Sequence, residues 1–443
     1  MRRALVGLVL VACSGQSGTL AISLATAPGS NLLDSAESLK LTLTYPAQTT
    51  TATRSSTGFD ITIDVPADGN ASQLYVDALD ATGTLLATGQ SPPFALGAED
   101  STLVVYMAPP LSVGVAPVAL ASGRDQIAAG SLGYGVILAG GIGAAGALDD
   151  VEIYNGFTHA LQTGMVLPAA RGAMALGIGQ NGVVYFFGGT DATGATVGNL
   201  WRFDTTVAPN GSYIDDGDQA GVARTGALAL AIDSNDDYLV TGTPPGALSG
   251  TAGTVTARTD FTALPDQGST VVGSDVVAST IMAGVAGSTT GLVRFRAGAF
   301  DTPDGMSIAA RTGHTVVALE AGKVAVVCGG SAFPDALVID AATAAASIVP
   351  TVPAVPVSEC AAAATSRYVV IAGGSDATGA VSAAVDIYDA TTLAYVASTT
   401  LVTPRTGASA VALPNGQILF AGGVDAEGNF VETLELFTPD SPE

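Results

Sequence analysis

Between residues 20 and 110, apolar and polar residues alternate in short runs. Leu39-Lys40-Leu41-Thr42-Leu43-Thr44 has a period of two, as do Phe59 to Val65, Gln73 to Leu79 and Thr102 to Met107. That period puts successive side chains on opposite faces, which suits a strand with one face buried. Turn clusters separate the runs, among them Pro66-Ala67-Asp68-Gly69-Asn70 and Asp80-Ala81-Thr82-Gly83. Nothing keeps a helical period. The pattern predicts an antiparallel β-sandwich over residues 20–110. Its plain role is a stalk, and an independent binding site is the alternative.

Pro109-Pro110 marks a boundary, and beyond it the chain repeats. A Gly-Gly pair or a degenerate form of it follows an apolar strand at Gly140-Gly141, Gly188-Gly189, Thr241-Gly242, Ala283-Gly284, Gly329-Gly330, Gly373-Gly374 and Gly422-Gly423. The spacing is about 42–53 residues. About 17 residues upstream of most pairs sits an arginine: Arg124, Arg171, Arg224, Arg311 and Arg405. Downstream, often after a hairpin such as Asp191-Ala192-Thr193-Gly194, comes a strand with a late aromatic: Tyr154, Phe203, Phe295, Tyr388 and Phe437.

This pattern resembles the kelch repeat, over roughly residues 113–443. Arg171 to Asp204 and Arg405 to Phe437 carry it best. The resemblance implies an all-β chain with a β-propeller over residues 111–443, in which each four-stranded blade buries its faces on its neighbours. Seven pairs favour seven blades, and six remain if Ala283-Gly284 is a chance match. The family's outer-strand tryptophan is essentially missing, since Trp201 is the only one. Residues 20–110 resemble, in architecture alone, the immunoglobulin-like modules of bacterial surface proteins. After Gly423 only one strand remains, Glu432 to Phe437, which leaves the last blade one strand short. Val113 to Ala121 reads like the outer strands around Leu167-Pro168 and Thr403-Pro404, and is expected to complete that blade and remove two open sheet edges.

The chain begins with an address. Met1-Arg2-Arg3 is basic, Ala4 to Ala12 is apolar and too short to span a bilayer, and Leu10-Val11-Ala12-Cys13 follows. This looks like the lipobox of a bacterial lipoprotein, in which Cys13 is lipidated and becomes the mature N-terminus. Residues 1–13 are then the signal peptide and 14–19 a polar tether. Ser14 after the cysteine resembles lipoproteins sorted to the outer membrane, facing the periplasm or the surface. The alternative is an ordinary secretory signal. Two or more acyl chains make a stable anchor, at ~0.8 kcal/mol per buried methylene.

Composition narrows the function. With 443 residues and 48% hydrophobic positions the chain can bury two or three domain cores. It carries 39 acidic against 15 basic residues, a net charge of −24, so its field repels phosphates and nucleic acid is excluded as a partner.

With Cys13 lipidated, Cys328 and Cys360 remain. An exported pair is a disulfide candidate, linking adjacent blades through a loop of about 31 residues and worth about 3–4 kcal/mol; two separate buried thiols are the alternative. His159 falls in an outer loop beyond Tyr154, and His314 opens an inner strand, so two histidines imply no metal site. No nucleophile elbow or Cys-His pair appears, and no cofactor is implied. The five arginines have two readings. They form a positive funnel for an anionic glycan or carboxylate, or each is occupied by a carbonyl or carboxylate of a neighbouring blade, and the second is favoured. Asp215-Asp216-Gly217-Asp218 and Asp233-Ser234-Asn235-Asp236-Asp237 are acidic hairpins, able in principle to hold calcium but without EF-hand spacing. The expected function is a lipid-anchored cell-envelope protein with a non-catalytic propeller that binds an envelope protein or glycan. The alternatives are a carbohydrate-active enzyme using Arg and Asp around the propeller mouth, and a structural envelope component.

Overall fold

The computed structural model describes residues 17–442 apart from 57, 60, 98–100, 233–235, 242–245, 259–269, 276–279, 286–289, 297–298, 302–306, 309–312, 320–321, 330–334, 341–342, 344 and 351–356. Cys13 and Arg311 lie outside the described residues. The described chain is all-β, with two single-turn 3₁₀ segments at Gln180–Gly182 and Ala220–Val222 and many small antiparallel sheets.

The N-terminal part packs two sheets face to face. One has the order Gln48–Thr53, Ser38–Leu43, Leu74–Leu79, Leu85–Gln90; the other has the order Thr62–Pro66, Ser17–Ala25, Ser101–Tyr106. Alternation explains the core: Leu39, Leu41 and Leu43 point inward with Val76, Leu103 and Val105, while Lys40 points out. Two expectations need correction. Residues 17–19 are not tether but the start of the first strand, where Ser17 pairs with Pro66. The sheets are not wholly antiparallel, because Ser17–Ala25 runs parallel to Ser101–Tyr106. Both errors have one cause: Ser17 to Thr19 is polar, and its pairing partners are far away in sequence.

Seven further sheets of four or five strands follow in the described chain, besides the two-stranded ribbon of Ile142–Gly143 and Gly146–Ala147. The first is Ala128–Leu132, Gly135–Ala139, Val151–Asn155, Ala160–Thr163; the second is Ala175–Ile178, Val183–Phe187, Asn199–Asp204, Ser212–Asp218. The third to sixth open with Ala229–Ala231, Thr270–Asp275, His314–Leu319 and Ala361–Ala364. The seventh opens with Ser409–Ala412, Ile418–Ala421 and Thr433–Thr438, and its outermost strand is Ser112–Ala119 from the start of the region. Gly135–Ala139 and Ile418–Ala421, second strands of their sheets, are buried along their whole length, because a sheet lies over each face. The opening strand of each sheet packs on that of the next, and the seventh packs on the first. Ala283-Gly284 lies within a paired strand, Thr280–Val285, rather than after one, yet a sheet forms there all the same.

The Gly-Gly pairs show why neighbouring sheets need glycine. The N–H of Gly141 donates to the carbonyl of Arg171, Gly189 to that of Arg224 and Gly374 to that of Arg405. Gly423, in the seventh sheet, donates to the carbonyl of Arg124 in the first. At Gly140 and Gly422 the backbone takes φ of 59° and 66°, and an added Cβ would collide with the carbonyl of Arg171 or Arg124. One latch therefore recurs between sheets, last to first included.

The two parts of the molecule are docked together. Val104 N–H donates to the carbonyl of Phe157, whose ring packs on the N-terminal core. Asn415 Nδ2 donates to the carbonyl of Gln90 at 3.2 Å, and Thr88 lies 2.6 Å from Ser441. Between them lies His159, which is 2% exposed and not in an outer loop as its sequence position suggests. The loop folds back so that His159 Nδ1 meets Tyr154 Oη at 2.7 Å, beside the Tyr106 ring. Its Nε2 has no partner. Burial pushes the imidazole down to about 4 and both phenols up. A group depressed from about 6.5 gives its full stability above that pH and loses it as pH falls toward 4, a cost of about 3 kcal/mol. Urea midpoints of wild type and His159→Asn are therefore expected to converge between pH 7 and pH 4; parallel curves would refute the assignment.

Candidate functional site

Four of the five repeated arginines can be placed. Arg124 is fully buried, 2.7 Å from Glu152 and 3.6 Å from Asp150. Arg405 is fully buried, 2.5 Å from Glu435, and donates to the carbonyl of Thr433 at 2.9 Å. Arg171 is buried, donates to Asn199 Oδ1 at 2.7 Å and stacks on Trp201. Arg224 donates to the carbonyls of Thr241 and Val222 at 2.7 and 2.8 Å. No funnel results from these four. The expectation of neighbouring-sheet partners is also corrected: each guanidinium bonds its own sheet or the loop that opens it, and only the arginine's carbonyl reaches the preceding sheet. In sheets one and seven the same carboxylate also accepts from the loop, as Ala121 N–H to Glu152 and Val402 N–H to Glu435 show. Two glutamates of ordinary appearance, Glu152 and Glu435, are thus the arginine partners that spacing alone left unidentified. Their signal was placement two residues before the late aromatics Tyr154 and Phe437.

The junction of sheets five and six is built differently. Cys328 and Cys360 form a disulfide with Cα atoms 6.4 Å apart. Cys328 has φ of 61° and Gly329 has φ of 111°, the backbone of a Gly-Gly pair, so the pair's place is Cys328-Gly329 and not Gly329-Gly330. Gly329 N–H donates to the carbonyl of Val357, as its counterparts donate to arginines. Val357 therefore stands in the arginine's place, and its side chain packs by Gly374 as the Arg124 stem packs by Gly141. Cys360, three residues on, matches Ile127, toward which a Cβ at Gly422 would point. The covalent bond thus occupies the slot that a glycine and its neighbour fill elsewhere. Asp386, the counterpart of Glu152 and Glu435, is left without a guanidinium. Its Oδ1 is buried without a partner, and burial raises the carboxyl to about 6.

His314 opens its strand opposite Cys328 in the register. The acidic hairpins do not converge. Asp216 pairs with Arg202 at 2.6 Å, and Asp215 accepts from Gly217 N–H at 2.9 Å. Asp236 accepts from Gln180 N–H and Tyr185 Oη, tying sheet two to sheet three, while Asp233, Ser234 and Asn235 lie outside the described residues. Among the described residues no group of three His, Cys, Asp or Glu is placed to hold a metal ion. The Asp-Ala-Thr-Gly hairpins are braced internally, with Asp191 and Asp376 each accepting from a Thr hydroxyl at 2.7 Å. Those hydrogen bonds hold both carboxyls below the usual range.

The opening strands bound a cavity of about 320 Å³ lined by Ile127, Met174, Leu176, Leu228, Leu230 and Val316 with alanines between them. Strands of sheets one, two, three and five all contribute, and among the described residues no charged side chain lines it. Just before six of the opening strands, a residue two beyond the arginine position takes positive φ: Gln126, Ala173, Gly226, Gly313, Glu359 and Gly407. These residues hand hydrogen bonds from sheet to sheet. Ala173 N–H donates to Gln126, Gly226 to Ala173, Glu359 to Gly313 and Gly407 to Glu359, at 2.6–3.2 Å.

No protein-family model and no curated protein matches the chain. Among solved structures, that of YjhT is similar at 14% sequence identity with a TM-score of 0.46, over 61% of this chain and 96% of that one.

Proposed function

We propose that this is a lipid-anchored envelope protein in which an immunoglobulin-like module carries a seven-bladed, kelch-like propeller, and that its work is binding rather than catalysis. The observation that carries the reading is the state of the charged groups. The repeated arginines that can be placed are occupied within their sheets, and among the described residues no charged side chain lines the cavity between the opening strands. A carbohydrate-active enzyme of the kind expected from Arg and Asp at the mouth needs such groups free and convergent.

The direction of the chain supports the placement of the anchor. Ser17–Ala25 runs parallel to Ser101–Tyr106, and the Tyr106 end is the one that meets the first sheet. Ser17 lies at the far end. The N-terminal module contacts the loops around Phe157 and Asn415, whereas the Gly-Gly pairs and braced hairpins lie at the opposite strand ends. A chain tethered at Cys13 would hold those hairpins away from the membrane, on rigid loops suited to contact. Two measurements test the reading. Cys13→Ser is expected to move the protein from the membrane to the soluble fraction, and unchanged retention would overturn the anchor. The mature protein is expected to bind envelope glycan or protein without altering it; product release from a glycan panel would overturn the non-catalytic role.

A further inference from the structure

Two groups of contacts join the N-terminal sheets to those that follow, and they differ in kind. The first is apolar. Tyr106 is buried among Tyr154, Leu413 and Leu419, and Phe157 packs on the N-terminal core. It lies where the chain itself crosses, since only Met107 to Leu111 part Ser101–Tyr106 from Ser112–Ala119. The second is polar and is made by the segment after the last strand. The Asp440 carboxylate accepts from Tyr368 Oη at 2.7 Å and lies 2.8 Å from Arg367, which also donates to the Asp440 carbonyl at 2.8 Å. Ser441 reaches the other way: it lies 2.6 Å from Thr88 and donates to Asp77 Oδ1. One dipeptide therefore holds sheet six with its first side chain and the N-terminal module with its second. Beside it, Gln90 and Asn415 exchange two hydrogen bonds. The two groups resist opening unequally. Buried aromatic contacts stay closed in water, whereas Arg367 and Asp440 are 40% and 39% exposed, so their attraction is screened and their hydrogen bonds exchange for water. A cleft of about 150 Å³ lies next to the polar group, lined by Gln73, Tyr75, Arg367, Asn415 and Pro439. Polar groups of that kind are well served by water, so widening the cleft sacrifices little hydrophobic burial.

We propose that the N-terminal module is hinged at Tyr106 and Phe157, and that Asp440-Ser441 is the catch that holds it closed. The closed form is the arrangement described above. In the open form Leu74–Leu79 and Leu85–Gln90 lift away from the hairpins at Arg367 and Asn415, while the apolar contacts persist. Salt that screens the Arg367 guanidinium, or a carboxylate that competes for it, shifts the balance toward the open form. The inference goes beyond the binding role and does not depend on the lipid anchor. If the chain is tethered through its N-terminal module, the catch sets the tilt of the seven sheets against the membrane.

The test measures a distance across the cleft by pulsed electron resonance, with spin labels at Lys40→Cys and Thr391→Cys in the full chain carrying Cys13→Ser, and the Cys328–Cys360 disulfide kept oxidised. Both positions are exposed; Lys40 pairs with Asp77 in its sheet, and Ala390, beside Thr391, donates to the Arg367 carbonyl. At low salt a single narrow distribution is expected. Asp440→Ala/Ser441→Ala, which touches no strand, is expected to add a population at longer distance. The ratio of open to closed should rise about tenfold, the effect of losing about two net hydrogen bonds, with the melting temperature within a few degrees. Arg367→Met is expected to do the same from the other side of the catch, and about 1 M salt to move the unaltered catch in the same direction. An unchanged distribution in both variants overturns the proposal. So does a lowered melting temperature without the longer population, because a contact that only stabilises would behave that way. Membrane release and glycan or protein binding are measured separately, so failure here leaves those readings standing.

Discussion

Replacing Arg405 with methionine is expected to cost about 3–5 kcal/mol of stability, the largest effect of any single side chain described here. The reason is not the strength of the ion pair. Arg405 and Glu435 are both fully buried, and their mutual attraction roughly repays the desolvation of the two charges. Removing only the guanidinium strands the carboxylate. Glu435 would keep two backbone donors, Val402 N–H and Thr403 N–H, but no counter-charge. Denaturant titration of three proteins separates these effects. Arg405→Met alone should be the worst, and Glu435→Gln alone milder because the amide still offers a carbonyl oxygen. The double variant Arg405→Met/Glu435→Leu should recover most of the loss. Equal losses for the single and double variants would show that the pair itself, rather than the stranded charge, sets the cost.

A chain that ends at Glu432 is expected not to fold into a cooperative unit. The missing strand, Thr433–Thr438, carries Leu434, Glu435, Leu436 and Phe437, all fully buried. Each large apolar side chain is worth about 1.5–3 kcal/mol on burial, and a domain has only about 5–15 kcal/mol in hand. The loss also unpairs Ser112–Ala119, whose one neighbour in its sheet is that strand. A truncation just beyond it, ending at Pro439, removes Asp440 and Ser441 but no strand, and should fold with a modest penalty. Circular dichroism and a single cooperative melt for the shorter chain would refute the claim that the first and last segments form one sheet.

Much of this was legible in the residues. Strict alternation marked Ser38–Leu43 and Leu74–Leu79, because one face of each is wet. Gly-Gly after an apolar run marked the second strands, because the close approach of the next arginine's carbonyl leaves no room for a side chain. What stayed hidden was of two kinds. Ser17–Ala25 begins with polar residues and pairs in parallel with a strand some eighty residues later, and no local pattern encodes such a pairing. The state of the arginines was the second. Spacing revealed that they recur, but whether each guanidinium faces a ligand or a glutamate depends on a side chain about thirty residues downstream. His159 makes the same point: a short loop after a strand reads as surface until another part of the chain is set down on top of it.

The bond from Gly423 to Arg124 has a consequence for how this gene could be rearranged. Since the contact between the final and initial units is made of the same atoms as those between consecutive units, nothing in the backbone chemistry distinguishes where translation happens to start. The order of synthesis is then a matter of ancestry rather than mechanics. A rearranged reading frame, opening at one of the braced Asp-Ala-Thr-Gly turns and joining the old ends through a linker long enough to run the length of Ser17–Ala25, would preserve the latches described here while shifting the weak point elsewhere.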